Sequence, residues 1–267
     1  MTDEEHYDDY IADQDPSFRS HTDITPDELT TALRSLELLG GEMHLGLQVT
    51  NLTVVDQFIM GVEHHILQEY FRTDKTPPET MFLNAQSQMW IFAAYELLRT
   101  WRARAKDIIK WAENGGLELK AKSLEDLGFL HSGRQMRAKQ LREVATNPSM
   151  IETIKTDLRR AHIPFSRIEH LRVSLAKHEV RGRRNSVAYA PGYGRINMMN
   201  GSLQYQLENG PVILDTISRR DIADELRALN DTSNIPTDED IQSFDEFMQA
   251  SMSKAEIEAM RGGQADF

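Results

Sequence analysis

Cysteine is absent from this sequence of 267 residues. The chain can therefore form no disulfide bond, and it offers no thiolate to a metal ion. This absence fits a reducing compartment, and we expect a cytoplasmic protein. No apolar run approaches the roughly 20 residues that a membrane-spanning helix needs. The acidic, polar beginning of the chain is also unlike a signal peptide, so we expect no membrane association.

Glycine-based catalytic motifs are missing as well. The sequence has no Gly-Lys-Ser/Thr phosphate loop, and no Gly-x-Gly-x-x-Gly turn between a strand and a helix. It also lacks the Gly-x-Ser-x-Gly turn that presents a nucleophilic serine. These absences disfavour nucleotide hydrolysis and serine-hydrolase chemistry.

The net charge of −12 is distributed unevenly along the chain. Residues 1–25 hold eight acidic residues and one Arg, and residues 231–267 hold nine acidic and two basic residues. Between them, residues 131–184 hold thirteen Lys or Arg against five acidic residues. This basic centre predicts an anionic partner, and the acidic ends offer a surface to a protein partner. The alternative is that all three stretches are solvated faces or tails.

Hydrophobic periodicity predicts a mainly α protein with a multi-helix, bundle-like domain. We expect an acidic disordered tail over 1–24, a helical domain over 25–230 and two short acidic helices within 231–267. The exception is a β-hairpin excursion within 185–215, because Asn200-Gly201 is a hairpin turn signal beside alternating residues. Thr25-Pro26-Asp27-Glu28 predicts the start of a first helix that runs to Leu39, and Ser218 with Asp221 predicts a capping box for a helix through about 229.

Two predicted helices carry the clearest apolar stripes. One covers about 79–112 and the other about 164–181. Since no predicted sheet covers these stripes, we expect the two helices to bury them against each other. The residues predicted to meet are Trp90, Leu97, Trp101 and Ile108 from the first helix and Ile168, Leu171 and Leu175 from the second.

The segment that ends the second helix contains the best candidates for chemistry. Arg172 and His178 lie on opposite sides of its apolar stripe. They could converge if the last helical turn loosens or if a twofold-related copy packs on the stripe. The alternative is that both are polar residues at the edge of a buried surface.

Two further groups of polar residues are better explained as structural. His170, Ser174 and His178 follow one another at intervals of four, but the central position that suits zinc is a serine. Glu63-His64-His65 and Glu69 include an i, i+4 pair without the repeat of a two-metal carboxylate bundle. We therefore expect no metal site.

The spacing Arg172-Val-Ser-Leu-Ala-Lys-His178 resembles the signature of the HEPN superfamily of helical proteins, an Arg followed after four to six residues by a His. The resemblance covers about 85–181 and extends to an acidic residue on a long mid-chain helix, which Glu96 supplies. It implies a metal-independent, cofactor-free endoribonuclease that acts as a homodimer, with Arg172, His178 and Glu96 as catalytic residues. Many members belong to toxin–antitoxin or phage-defence systems, and others bind RNA without cutting it.

The proposed chemistry is also reasonable from first principles. His178 would move a proton to or from the ribose 2′-hydroxyl or the leaving oxygen. Arg172 would stabilise charge on the phosphorus-centred transition state. Other cations nearby could hold phosphates, namely Lys177, Arg181, Arg183 and Arg184. The alternative function is that of a non-catalytic helical interaction or scaffold protein.

Overall fold

The structure, a computed structural model, describes residues 19–41, 43–125, 132–176, 194–209 and 212–249. This part of the chain is mainly α-helical with a small antiparallel sheet, which confirms the predicted fold class. After a short 3-10 helix at His21–Asp23, the helices are α1 (Glu28–Arg34), α2 (Met43–Thr73), α3 (Thr80–Glu113), α4 (Leu117–Glu125), α5 (Ser132–Thr146), α6 (Ser149–Arg160), α7 (His162–Ala176), α8 (Arg219–Ala228) and α9 (Asp238–Met248). None of the described helices is both long enough and apolar enough to span a lipid bilayer.

Helix α3 is the central element of the core. It contacts α2, α6, α7 and α8, so its stripe is covered from several sides. The predicted packing of α3 on α7 is confirmed, because both helices bury the expected residues. Fully buried are Trp90, Leu97, Trp101 and Ile108 of α3 and Ile168 and Leu171 of α7, whereas Leu175 is partly buried.

The sheet has the strand order β1 (Arg195–Ile196), β2 (Leu203–Asn209) and β3 (Val212–Ser218). The predicted turn is present: Gly201 has a φ of 75°, and a Cβ there would lie 2.0 Å from the Glu63 carbonyl oxygen. Glycine is therefore required both by the backbone conformation and by the contact with α2. The β-structure extends beyond the predicted end at residue 215 because β3 pairs with β2 as far as Ser218.

The chain beyond β3 follows the sequence prediction closely. Ser218 caps α8, accepting a hydrogen bond from the Asp221 amide, and the Asp221 side chain completes the capping box. Helix α9 also begins with a capping box, formed by Thr237 and Asp240. None of its residues is buried, so α9 is an amphipathic helix attached to the surface. The second predicted acidic helix lies outside the described residues.

The beginning of the described chain differs from the prediction. The residues from Arg19 onward were assigned to a disordered tail, yet Ile24 is buried and Arg19 pairs with Glu28 at 2.9 Å. The first predicted helix also ends earlier than expected, at Arg34, and a turn follows in which Leu38 adopts a left-handed conformation with a φ of 73°. Leu36, Leu38 and Leu39 of this turn are buried. The rest of the predicted tail, residues 1–18, lies outside the described residues.

Candidate functional site

Two arginines and two aromatic rings form a ladder where α3 meets α7. Tyr95 and Phe165 stack with ring centroids 5.9 Å apart. The Arg172 guanidinium lies 5.1 Å from the Tyr95 centroid, and that of Arg102 lies 4.5 Å from the Phe165 centroid. Each helix contributes one ring and one arginine seven residues away, which places both on the same face of that helix. The antiparallel packing of α3 and α7 then brings each arginine over the ring of the other helix.

The two guanidinium groups of the ladder are partly exposed to solvent, whereas its two aromatic rings are buried. Phe165 is 2% exposed and Tyr95 is 8% exposed, so neither ring offers a free surface on which a base could stack. Both arginines are half-buried, and within the described ranges neither forms an ion pair with a carboxylate. The arrangement is therefore suited to binding phosphate groups, with no means of reading bases by stacking.

Hydrogen bonding and burial fix the aromatic part of the ladder. The Tyr95 hydroxyl donates to Glu169 Oε1 at 3.3 Å. Burial, together with the nearby Glu169 carboxylate, raises the pKa of Tyr95 above its usual value. The phenol therefore stays protonated at neutral pH and holds α3 against α7. A rigid ring beneath Arg172 reduces the conformational freedom that this side chain would lose on binding a ligand.

Of the three predicted catalytic residues, the structure describes Arg172 and Glu96 and places them in different contacts. Arg172 belongs to the ladder, and Glu96 follows Tyr95 on α3. Glu96 accepts two hydrogen bonds from Arg99, at 2.6 and 3.0 Å, and is about half exposed. Its carboxylate thus orients Arg99, while Arg172 is oriented by Tyr95. The predicted catalytic His178 and the predicted RNA-binding residues Lys177, Arg181, Arg183 and Arg184 lie outside the described residues.

His170 and Ser174, which the sequence indicates are structural, form hydrogen bonds to the backbone. His170 Nε2 lies 2.8 Å from the Glu208 carbonyl oxygen, which ties α7 to β2. The Ser174 hydroxyl donates to the His170 carbonyl oxygen at 3.1 Å. Within the described segments there is no group of three or more His, Asp or Glu side chains arranged to hold a metal ion.

A buried ion network between α2 and α8 was missed by sequence reasoning. Arg219 donates three hydrogen bonds of 2.8–3.0 Å to Glu63 and also bonds Asp56. Arg227 bonds the other Asp56 oxygen. Arg227 and Arg220 both bond Asp224, at 2.5 and 3.1 Å. The side chains of Arg219, Glu63 and Asp56 are at most 1% exposed.

The network balances its charges inside the protein. Desolvation by burial raises the pKa of Glu63, whereas the adjacent Arg219 and Arg220 lower it. Burial by itself lowers the pKa of Arg219. The carboxylates of Glu63 and Asp56 together have a larger effect in the other direction, so the pKa of Arg219 is raised overall. Arg219 also lies 5.4 Å from the Trp90 ring centroid. Since Arg219, Glu63 and Asp56 are shielded from solvent, we assign the network to fixing α8 on α2.

An apolar surface runs along the outer side of α2 and α3. Val54 and Phe58 of α2 are 62% and 56% exposed, and Phe82 and Met89 of α3 are 49% and 63% exposed. Phe58 and Phe82 meet edge to face with centroids 6.4 Å apart. At 100° per residue, Met89 lies roughly a third of a turn around α3 from Tyr95. This surface is consequently separate from the arginine ladder.

Comparison with known proteins gives no assignment: no protein-family model, no curated protein and no solved structure matches this chain.

Proposed function

We propose that the α3–α7 seam binds the phosphate backbone of RNA through Arg172 and Arg102, and that His178 cleaves the bound strand without a metal ion. The observation that carries this proposal is the pair of half-buried guanidiniums, each stacked on a ring and without a carboxylate partner in the described chain. A guanidinium without such a partner keeps its N–H groups available for phosphate oxygens.

The charge distribution supports the same proposal. Arg172 lies within the basic stretch 131–184, although the whole chain carries a charge of −12. The positive region attracts a polyanion, and the negative charge of the rest of the protein limits nonspecific binding elsewhere. RNA is the expected substrate because its 2′-hydroxyl supplies the internal nucleophile that a histidine can activate.

Cleavage is tested by incubating the purified full chain with total RNA in the presence of EDTA. We expect cutting to continue without metal and to leave 2′,3′-cyclic phosphate ends. His178→Ala should abolish it, because no base would then activate the hydroxyl. Arg99→Gln serves as a control, since Arg99 is a cation of α3 already paired with Glu96. If the wild-type protein binds RNA but leaves it intact, the nuclease assignment is wrong and RNA binding alone remains.

A second candidate function is protein interaction through the apolar surface of α2 and α3. Large exposed apolar side chains side by side on two helices are typical of an interface. The predicted homodimer would bury them, and a second copy of the chain would present the same surface about a twofold axis.

The dimer is tested by sedimentation velocity of the wild-type chain and of Phe58→Asp. We expect the wild type to sediment as a dimer and Phe58→Asp as a monomer, because a charge at the centre of the surface would be desolvated on association. Leu119→Asp, at a residue of α4 that is 76% exposed, should stay dimeric. A monomeric wild type at all concentrations would contradict this proposal.

A further inference from the structure

Helix α9 lies on the surface of α6, α7 and α8 without burying any of its own residues. It is half-buried along one side only, where residues three or four positions apart face the protein, namely Ile241, Phe244, Asp245 and Met248. Beside this contact an open groove of about 730 Å³ remains between α7, α8 and α9. Well-packed helices leave few voids larger than a water molecule, so α9 fits this surface incompletely.

The polar contacts of α9 join its carboxylates to basic side chains of α6 and α7. Asp238 pairs with Arg159 at 2.5 Å, and Asp245 Oδ1 lies 2.8 Å from His162 Nε2. Both basic residues belong to the basic stretch 131–184, whereas α9 begins with three consecutive acidic residues. Helix α9 and the surface beneath it are therefore complementary in charge.

An apolar floor lies next to these charged contacts. The Phe244 ring centroid lies 5.7 Å from the Arg167 guanidinium, and the groove beside it is lined by Ile163 and Leu229. Ile163 and Arg167 each lie roughly half a turn around α7 from Phe165, so this surface is separate from the arginine ladder. An apolar floor flanked by basic side chains suits an amphipathic helix with acidic edges, whereas a nucleic acid would leave the apolar residues uncovered.

The connection from α8 to α9 allows α9 to leave this surface while the core stays intact. Leu229 is the last buried residue of the described chain, and residues 230–235 after it are all exposed. Helix α9 is held mainly by two partly exposed charged pairs and one half-buried ring. An element with so little buried apolar surface detaches at a small cost in free energy.

We propose that the surface formed by α6, α7 and α8 is a docking site for an acidic amphipathic helix of a partner protein, and that α9 occupies this site as an exchangeable ligand of the same chemistry. The carboxylates of the partner helix would bind Arg159 and His162, and its apolar side chains would fill the groove against Ile163 and Leu229. A helix that fills the groove more completely than α9 would displace it.

The test is fluorescence anisotropy of a fluorescein-labelled peptide of residues 234–249, titrated with the wild-type full chain and with full-chain Phe244→Ala. The variant weakens the attachment of α9 to its own chain. It should lower the Kd of the peptide by about tenfold, because a competitor tethered beside the site has a high effective concentration. Gln242→Ala, at an exposed position that does not line the groove, should bind the peptide as the wild type does.

The charge contacts are tested in the Phe244→Ala background, where the attachment of α9 itself is already weakened. Adding Arg159→Gln should raise the Kd of the peptide about threefold, the effect of losing one partly exposed ion pair. Adding Arg99→Gln, which removes an arginine paired with Glu96 on α3, should leave the Kd unchanged.

The proposal is wrong if the peptide binds neither chain, or if it binds the wild type and Phe244→Ala with the same Kd. Two other outcomes would replace it. If Phe244→Ala gains affinity for a single-stranded RNA and not for the peptide, α9 covers a nucleic-acid surface. If Phe244→Ala sediments as a monomer and the wild type as a dimer, the occupant is α9 of a second copy.

Discussion

Replacing Arg219 with methionine should lower the free energy of unfolding by about 3–5 kcal/mol, the usual effect of removing one partner from a buried ion pair. Arg219 is fully buried and bonds both Glu63 and Asp56. Methionine would fill much of the volume but would leave Glu63 without its three hydrogen bonds. Urea unfolding followed by circular dichroism measures the difference.

Two controls separate the buried network from a general effect of lost charge. Arg72→Met removes an arginine that pairs with Glu69 but has a side chain 68% exposed, and should leave the free energy of unfolding nearly unchanged. Glu63→Met combined with Arg219→Met should cost less than Arg219→Met alone, because the unpaired carboxylate is removed as well. If Arg219→Met were as stable as the wild type, Arg219 would be solvated rather than buried in solution.

Replacing Trp101 with alanine should also lower the free energy of unfolding by about 3–5 kcal/mol, the range for removing a large buried aromatic side chain. Trp101 is 1% exposed and lies in the core stripe of α3. Its indole Nε1 donates to the Glu37 carbonyl oxygen at 2.8 Å, so the variant loses a hydrogen bond and creates a cavity. The same urea titration measures the loss.

Lys106→Ala is the matched control on the same helix. Lys106 is exposed and lies outside the apolar surface, so its truncation should change the free energy of unfolding by about 0.5 kcal/mol or less. Trp101→Phe should fall between the two, because it keeps a six-membered aromatic ring but loses the five-membered ring and its hydrogen bond to Glu37. A loss below about 1 kcal/mol for Trp101→Ala would contradict the burial of this side chain, given the usual cost of such a cavity.

The sequence predicted the elements whose conformation depends on residues close together in the chain. The Ser218 capping box, the Asn200-Gly201 turn and the stripe of α3 each involve residues a few positions apart, and each is present. The turn around Leu38 was not predicted, since its left-handed conformation depends on burying leucines against distant helices.

The sequence contains a pattern from which the carboxylates of the buried ion network could have been predicted. Asp56 and Glu63 continue an apolar stripe of α2 that includes Val49, Leu52, Ile59 and Ile66 at heptad-like spacing. A carboxylate at such a position predicts a buried cation opposite it. Which arginines supply the charge could not be predicted, because Arg219 lies 156 residues from Glu63 along the chain.

The arginine ladder was predicted only in part. The sequence singled out Arg172 as a catalytic residue that stabilises charge on the phosphate. It gave no indication that Arg172 lies over Tyr95 or that the second arginine of the ladder is Arg102. Glu96, predicted as a weaker third catalytic residue with a salt-bridged surface carboxylate as the alternative, pairs with Arg99. These contacts depend on the register between α3 and α7, which hydrophobic periodicity leaves undetermined.

The affinity of the protein for a single-stranded RNA, measured by fluorescence anisotropy at several salt concentrations, tests the proposed surface most directly. Each phosphate contact contributes about 0.7 to the slope of log K against log salt for a single strand. We predict that Arg172→Gln weakens binding and lowers the slope by about 0.7, whereas Arg99→Gln, which removes an arginine already paired with Glu96, changes neither. Equal slopes for Arg172→Gln and the wild type would contradict a phosphate contact at Arg172.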